Sequence, residues 1–92
     1  MGMQTDIKAV SLAATGTAFD QRTRVRGALI EPGGSAGSVV FKDGGASGTT
    51  IMTVNTAANG ETFSVVIPSD GIVFQNDVYV VLTNTKVTVF YA

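Results

Sequence analysis

The apolar residues of this chain do not recur at helical spacing. They alternate with polar residues or gather in short β-branched runs, and turn formers cut every run short. Period-two alternation sends successive side chains to opposite faces of a strand. Many short strands separated by frequent turns give the rhythm of a sandwich or barrel. The expected fold is therefore all-β, an antiparallel β-sandwich of jelly-roll or immunoglobulin-like type with about eight short strands. These are expected over Ile7–Ala13, Arg24–Glu31, Ser38–Lys42, Thr49–Asn55, Glu61–Ile67, Ile72–Phe74, Val78–Thr83 and Lys86–Tyr91.

The turns between them have mechanisms. Asp43-Gly44-Gly45 carries glycines that take positive φ at no steric cost. Asn59-Gly60 is a strong hairpin signal, and Pro68-Ser69-Asp70-Gly71 has the order that a type I turn prefers. Asn76-Asp77 and Thr83-Asn84-Thr85 leave very short links. From Ser38 onward the chain reads as consecutive antiparallel hairpins. The stretch Glu31–Gly37 reads as a loop with room for flexibility.

Alternation also picks out a core. Phe63, Val65 and Ile67 share one face, as do Val87, Val89 and Tyr91, with Phe90 out of phase. In the second expected strand Val25, Gly27 and Leu29 oppose Arg24, Arg26 and Ala28. Val78-Tyr79-Val80-Val81-Leu82 is apolar on both faces. Such a strand lies between packed layers or turns its second face to another subunit. Subunit contact is the expectation here, which makes Val78, Val80, Leu82 and Phe90 candidate interface residues.

The 92 residues make one domain. Met1–Thr5 reads as a disordered or cloning-derived start, since Met1-Gly2 precedes Met3. A chain this short buries a modest fraction of its surface and benefits from outside support. With no cysteine, disulfides cannot supply it, and oligomerisation remains. Only 14% of residues are charged, against roughly 25% in an ordinary domain. A surface rich in Thr, Ser and Asn accounts for that, and so does a surface covered by other copies or a partner.

Absent residue types exclude chemistry. Without histidine or cysteine there is no Ser-His-Asp or Cys-His arrangement and no ordinary zinc site. The acids are scattered singly, mostly in or beside turns, where Asp bonds its own backbone. A carboxylate-only hydrolase would need a cleft that so small a domain rarely has. Gly44-Gly45-Ala46-Ser47-Gly48 lacks the Lys-Ser/Thr pair and following helix of a phosphate-binding loop. Asp43 and Asp70 lack the clustered oxygens of a calcium loop. No catalytic, metal or cofactor site is expected, and the chain reads as non-enzymatic.

A net charge of −1 gives no footprint for nucleic acid or anionic membrane. No apolar run approaches the roughly 20 residues that span a bilayer. The start has no signal-peptide character, and Asp6 breaks the myristoylation pattern. One charge feature stands out, Arg22-Thr23-Arg24-Val25-Arg26. On a strand the three guanidiniums line one face, either as a solvated outer face or as a dock for an acidic partner. Tyr79 with Gln75 and Asn76 is the one local candidate for a sugar platform.

Three segments carry a resemblance: Asp6-Ile7-Lys8-Ala9-Val10, Gly37-Ser38-Val39-Val40-Phe41-Lys42-Asp43-Gly44-Gly45 and Val87-Thr88-Val89-Phe90-Tyr91. In them the chain resembles small β proteins of tailed phages, particularly those of marine and cyanobacterial hosts. The resemblance implies a virion structural protein made in the host cytoplasm. Its first expectation is a capsid decoration or cement protein, self-associating, often as a trimer, over joints between major capsid subunits. A head–tail or tail component, or a receptor- or carbohydrate-binding tip module, is the alternative.

Overall fold

Strand β1 (Lys8–Leu12) opens the fold, followed by β2 (Gly16–Phe19), β3 (Thr23–Pro32), β4 (Gly37–Asp43) and β5 (Thr49–Thr56). Then come β6 (Phe63–Val66), β7 (Ile72–Phe74), β8 (Val78–Thr83) and β9 (Thr85–Tyr91). The computed structural model describes residues 7–67 and 71–92. The expectation for residues 1–5, and positions 68–70 of the Pro-Ser-Asp-Gly turn, lie outside the described residues.

Eight strands fall where alternation and turn chemistry place them, and β2 is additional. It forms by pairing with β8, Gly16 opposite Val80 and Thr17 opposite Tyr79. Just before it, the Thr15 hydroxyl accepts from the Leu82 amide at 2.9 Å and faces the Leu82 carbonyl at 3.4 Å. A side chain thus substitutes for one backbone rung at the edge of β8.

The strands form two sheets. One has the order β1-β9-β3-β6, with β7 also on β3, and the other is β2-β8-β4-β5. Both β6 and β7 run antiparallel to β3, against Gly27–Ile30 and Thr23–Val25 respectively. They act as one interrupted strand. The pairs β1·β9, β2·β8, β3·β6/β7 and β4·β5 are then the rungs of one long hairpin rolled into two sheets, closed by β9·β3 and β8·β4. That order is a jelly roll. An immunoglobulin order would keep A, B, E and D together in one sheet, so that alternative is set aside.

The expected run of hairpins after Ser38 is realised once, at β4–β5. The Asn59-Gly60 link joins β5 to β6 in the other sheet, and the links at Asn76-Asp77 and Asn84 also change sheets. A sandwich corner and a hairpin turn draw on the same residues, because both need sharp bends and positive φ. Asn59 and Asn84 do adopt positive φ, 56° and 50°. Turn chemistry locates the bend without deciding whether the flanking strands pair.

The core is Val25, Ala28, Ile30, Val39, Phe41, Phe74, Val78, Val80, Val87 and Val89. Along β3 the inward set departs from simple alternation. Val25 faces Tyr91 and Gly27 faces Phe90, so Arg26 is an extra residue on β3. This β-bulge resets the phase, and Ala28 and Ile30 turn inward while Leu29 is 37% exposed. The expected Val25-Gly27-Leu29 face is corrected accordingly. Val87 and Val89 are buried as alternation requires, and Tyr91 stacks on Phe19 with ring centroids 4.7 Å apart. Phe63 shares the inner side with its partner Ile30, but β6 is an edge and leaves it 37% exposed.

The glycine-rich connection after β3 is anchored. Gly33 N–H donates to the Asn84 carbonyl at 2.8 Å, and Asn84 Nδ2 donates to the Ala36 carbonyl at 3.2 Å. The Thr85 hydroxyl donates to the Ser38 carbonyl at 3.0 Å. A Cβ on Gly37 would overlap the Thr83 carbonyl oxygen. The loop therefore packs directly against the β8–β9 corner.

Candidate interaction surfaces

With no histidine or cysteine, chemistry in this chain rests on carboxylates, hydroxyls, amines and guanidiniums. Among the described residues no group of three or more acids is placed to hold a metal ion. No helix among them is long and apolar enough to cross a membrane. The sandwich presents two sheet faces, two ends and the strand edges.

The arginines divide. Arg22 lies in the turn before β3, and its Nε donates to Gln75 Oε1 at 3.2 Å. Arg24 and Arg26 lie on β3 and are half-buried. Arg26 occupies the bulge, and its Nε is buried with no hydrogen-bond partner among the described residues. Its stem runs beside Gly71, with Cδ 3.3 Å from where a Cβ there would sit. Thr23 and Val25 are buried between the three arginines, so alternation holds through Arg26 and the two strand arginines share the outer face, while Arg22 precedes the strand.

The expected interface strand also divides. Val78 and Val80 are 0% exposed and belong to the domain's own core, with Leu82 packed against it. The Val78 and Val80 side chains are therefore not available to a second chain, which corrects their assignment, whereas Leu82 is half-buried and lines the groove at one end of the sandwich. Tyr79 and Val81 take the opposite face, half-exposed, with Tyr79 opposite Lys42 and Val81 opposite Val40. A strand apolar on both faces offers no sequence signal as to which face turns inward. Phe90 lies on the outer face of the other sheet, half-buried, its ring 3.9 Å from the position of a Gly27 Cβ. Leu29, which sequence reasoning placed in the core, is exposed on that same outer face.

At one end of the sandwich two turns are locked together. Asp43 accepts from the amides of Gln75 and Asn76, each at 2.8 Å, and more distantly from that of Asp77 at 3.4 Å. Asp77 Oδ1 accepts from the amides of Gly44 at 2.9 Å and Gly45 at 3.1 Å. The Gln75 and Asn76 amides hold the Asp43 carboxyl below the ordinary aspartate value, against a smaller opposing effect of desolvation. Gln75 and Asn76 thus serve this lock through their backbone. Tyr79, their expected partner in a sugar platform, sits on the adjoining strand face.

The opposite end holds a groove of about 520 Å³ lined by Ala13, Thr15, Glu31, Pro32, Leu82 and Lys86. A smaller cavity of about 210 Å³ adjoins it, sharing Ala13, Glu31 and Lys86, and runs along Leu29, Thr62 and Thr88. Thr15 and Asn84 in this groove are already bonded to backbone. Its charged groups, Glu31 and Lys86, stand directly opposite each other across β3 and β9.

Set beside known proteins, the chain matches no family, no curated sequence and no solved structure.

Proposed function

We propose that the chain is a non-enzymatic structural protein of a tailed-phage virion, acting as a capsid decoration or cement protein. The observation that carries the reading is the pairing of a small, internally locked jelly roll with sheet faces that stay partly apolar. Tyr79, Val81 and Val40 mark one face, and Leu29 and Phe90 mark the other. The jelly roll is an architecture used in viral capsids, as well as in lectins and cupins. A charged fraction of 14% suits a block that covers part of its surface on assembly. The partners are the major capsid protein or another virion protein, together with further copies of the chain, and several copies reinforce one another through avidity.

The end groove favours a second reading, a receptor- or carbohydrate-binding tip, because its volume of about 520 Å³ falls in the range of ligand sites. Two assays separate the readings. A decoration protein co-sediments saturably with capsids of the virus that encodes it and leaves a glycan array blank. A tip module does the reverse, and that pattern would overturn the decoration reading.

A further inference from the structure

The sandwich has edges of very unequal character. In the first sheet they are β1, which has 5 residues and starts with Lys8, and the pair β6 and β7, with 4 and 3 residues. In the second they are β2 and β5. β2 has 4 residues and an irregular register between Thr17 and Phe19. β5 is different. It has 8 residues, Thr49-Thr-Ile-Met-Thr-Val-Asn-Thr56, with no charge, proline or glycine.

Proteins blunt an edge by making it short, charging it, placing proline in it, bulging it or covering it. β5 uses one of these devices. Lys42 faces Thr50 while Phe41 faces Met52, so Ile51 is a bulged residue near the start of the strand. From Met52 to Thr56 the register with β4 is regular. Among the described residues β4 is the only strand bonded to β5. One row of its backbone N–H and C=O groups therefore faces away from the sheet along an uncharged segment of regular register. Its side chains sort cleanly, with Met52 and Val54 packed on the core and Thr53 and Asn55 exposed.

We propose that β5 pairs with β5 of a second copy, antiparallel about a two-fold axis at Val54, joining two four-stranded sheets into one continuous sheet. Centred there, Met52 meets Thr56, Thr53 meets Asn55 and Val54 meets itself, so inner residues face inner and outer face outer. The segment carries no charge to repel its twin. The nearest charges along β4, Lys42 and Asp43, lie beside Thr50 and Thr49, and the two-fold sends the two sets to opposite ends. An isologous contact also closes on itself, whereas head-to-tail edge pairing runs on into filaments. The inference does not depend on the virion reading, since self-association and capsid binding are measured separately.

The test is molar mass by light scattering across a concentration series. It compares the wild type with T53K/N55K and the charge-swapped T53K/N55E, each checked for wild-type circular dichroism. Wild type is expected to dimerise. T53K/N55K sets lysine opposite lysine twice and weakens the dimer about tenfold or more. T53K/N55E sets lysine opposite glutamate and restores it. A wild-type monomer at all concentrations, a trimer, a dimer indifferent to T53K/N55K, or a folded T53K/N55E that stays monomeric would each overturn the proposal.

Discussion

Asp43 and Asp77 cap each other's turns. Asp43 bonds the amides of Gln75 and Asn76 just ahead of Asp77, and Asp77 bonds the amides of Gly44 and Gly45 just after Asp43. The β4–β5 and β7–β8 connections, more than thirty residues apart in sequence, are fixed as one unit at this end of the sandwich. Each carboxylate satisfies donors that no strand partner could reach.

The lock contributes to stability through both members. Asp43→Ala is expected to destabilise the domain by about 1–2 kcal/mol, toward the lower range for charge-assisted bonds because the carboxylate is partly hydrated. Asp77→Ala acts in the same direction, and the double variant loses less than the sum, since breaking either cap frees both turns. Urea unfolding measures this as a lowered midpoint at constant slope.

The same carboxylate sets a pH dependence. Its pKa in the folded protein is below the ordinary 3.8. Its contribution is therefore fully present above that value and is lost as pH falls through the lower, folded-state value. Thermal midpoints measured downward from neutral pH should fall more steeply in acid for wild type than for Asp43→Asn. Equal acid slopes in the two proteins would show that the caps carry no such linkage.

β8 separates core from surface at adjacent residues. Val80→Asp places a charge at a site that is 0% exposed and is expected to destabilise by about 3 kcal/mol or more, enough to unfold a marginal domain. Val81→Asp, on the half-exposed outer face, should stay folded with a loss of about 1 kcal/mol or less. Circular dichroism with urea titration reads both.

Gly37 is a steric requirement. Gly37→Ala drives a methyl group into the Thr83 carbonyl at the β8–β9 corner and is expected to cost about 2 kcal/mol. Gly45→Ala tests backbone strain alone, because the space around a Cβ there is open while its φ is +80°. It should cost about 1 kcal/mol. Unfolding midpoints rank the two.

Much of the fold was legible because burial and alternation coincide in most strands. Phe41 and Val39 in β4, and Val87 and Val89 in β9, are buried where period two puts them. The rest depended on partners that a sequence does not name. Gly16-Thr17-Ala18-Phe19 is too short to show a period, and it becomes a strand only by lying against β8. The bulge at Arg26 is invisible in alternation, yet it decides whether Leu29 or Ala28 faces the core. The faces of β8 look alike in sequence, and neighbouring strands choose Val78 and Val80 for the interior. Candidate surface residues were accordingly half legible. Phe90 was marked by breaking the pattern of β9, whereas the length and neutrality of the β5 edge acquire meaning only once the sheet order is known.

The proposed virion role is tested most directly by quantitative mass spectrometry of purified particles of the phage proposed to encode this chain. A decoration or cement protein is expected in every preparation, at a fixed high ratio to the major capsid protein, and to be retained through gradient purification. Its absence from purified particles would contradict the account, leaving a jelly roll whose partner must be sought elsewhere.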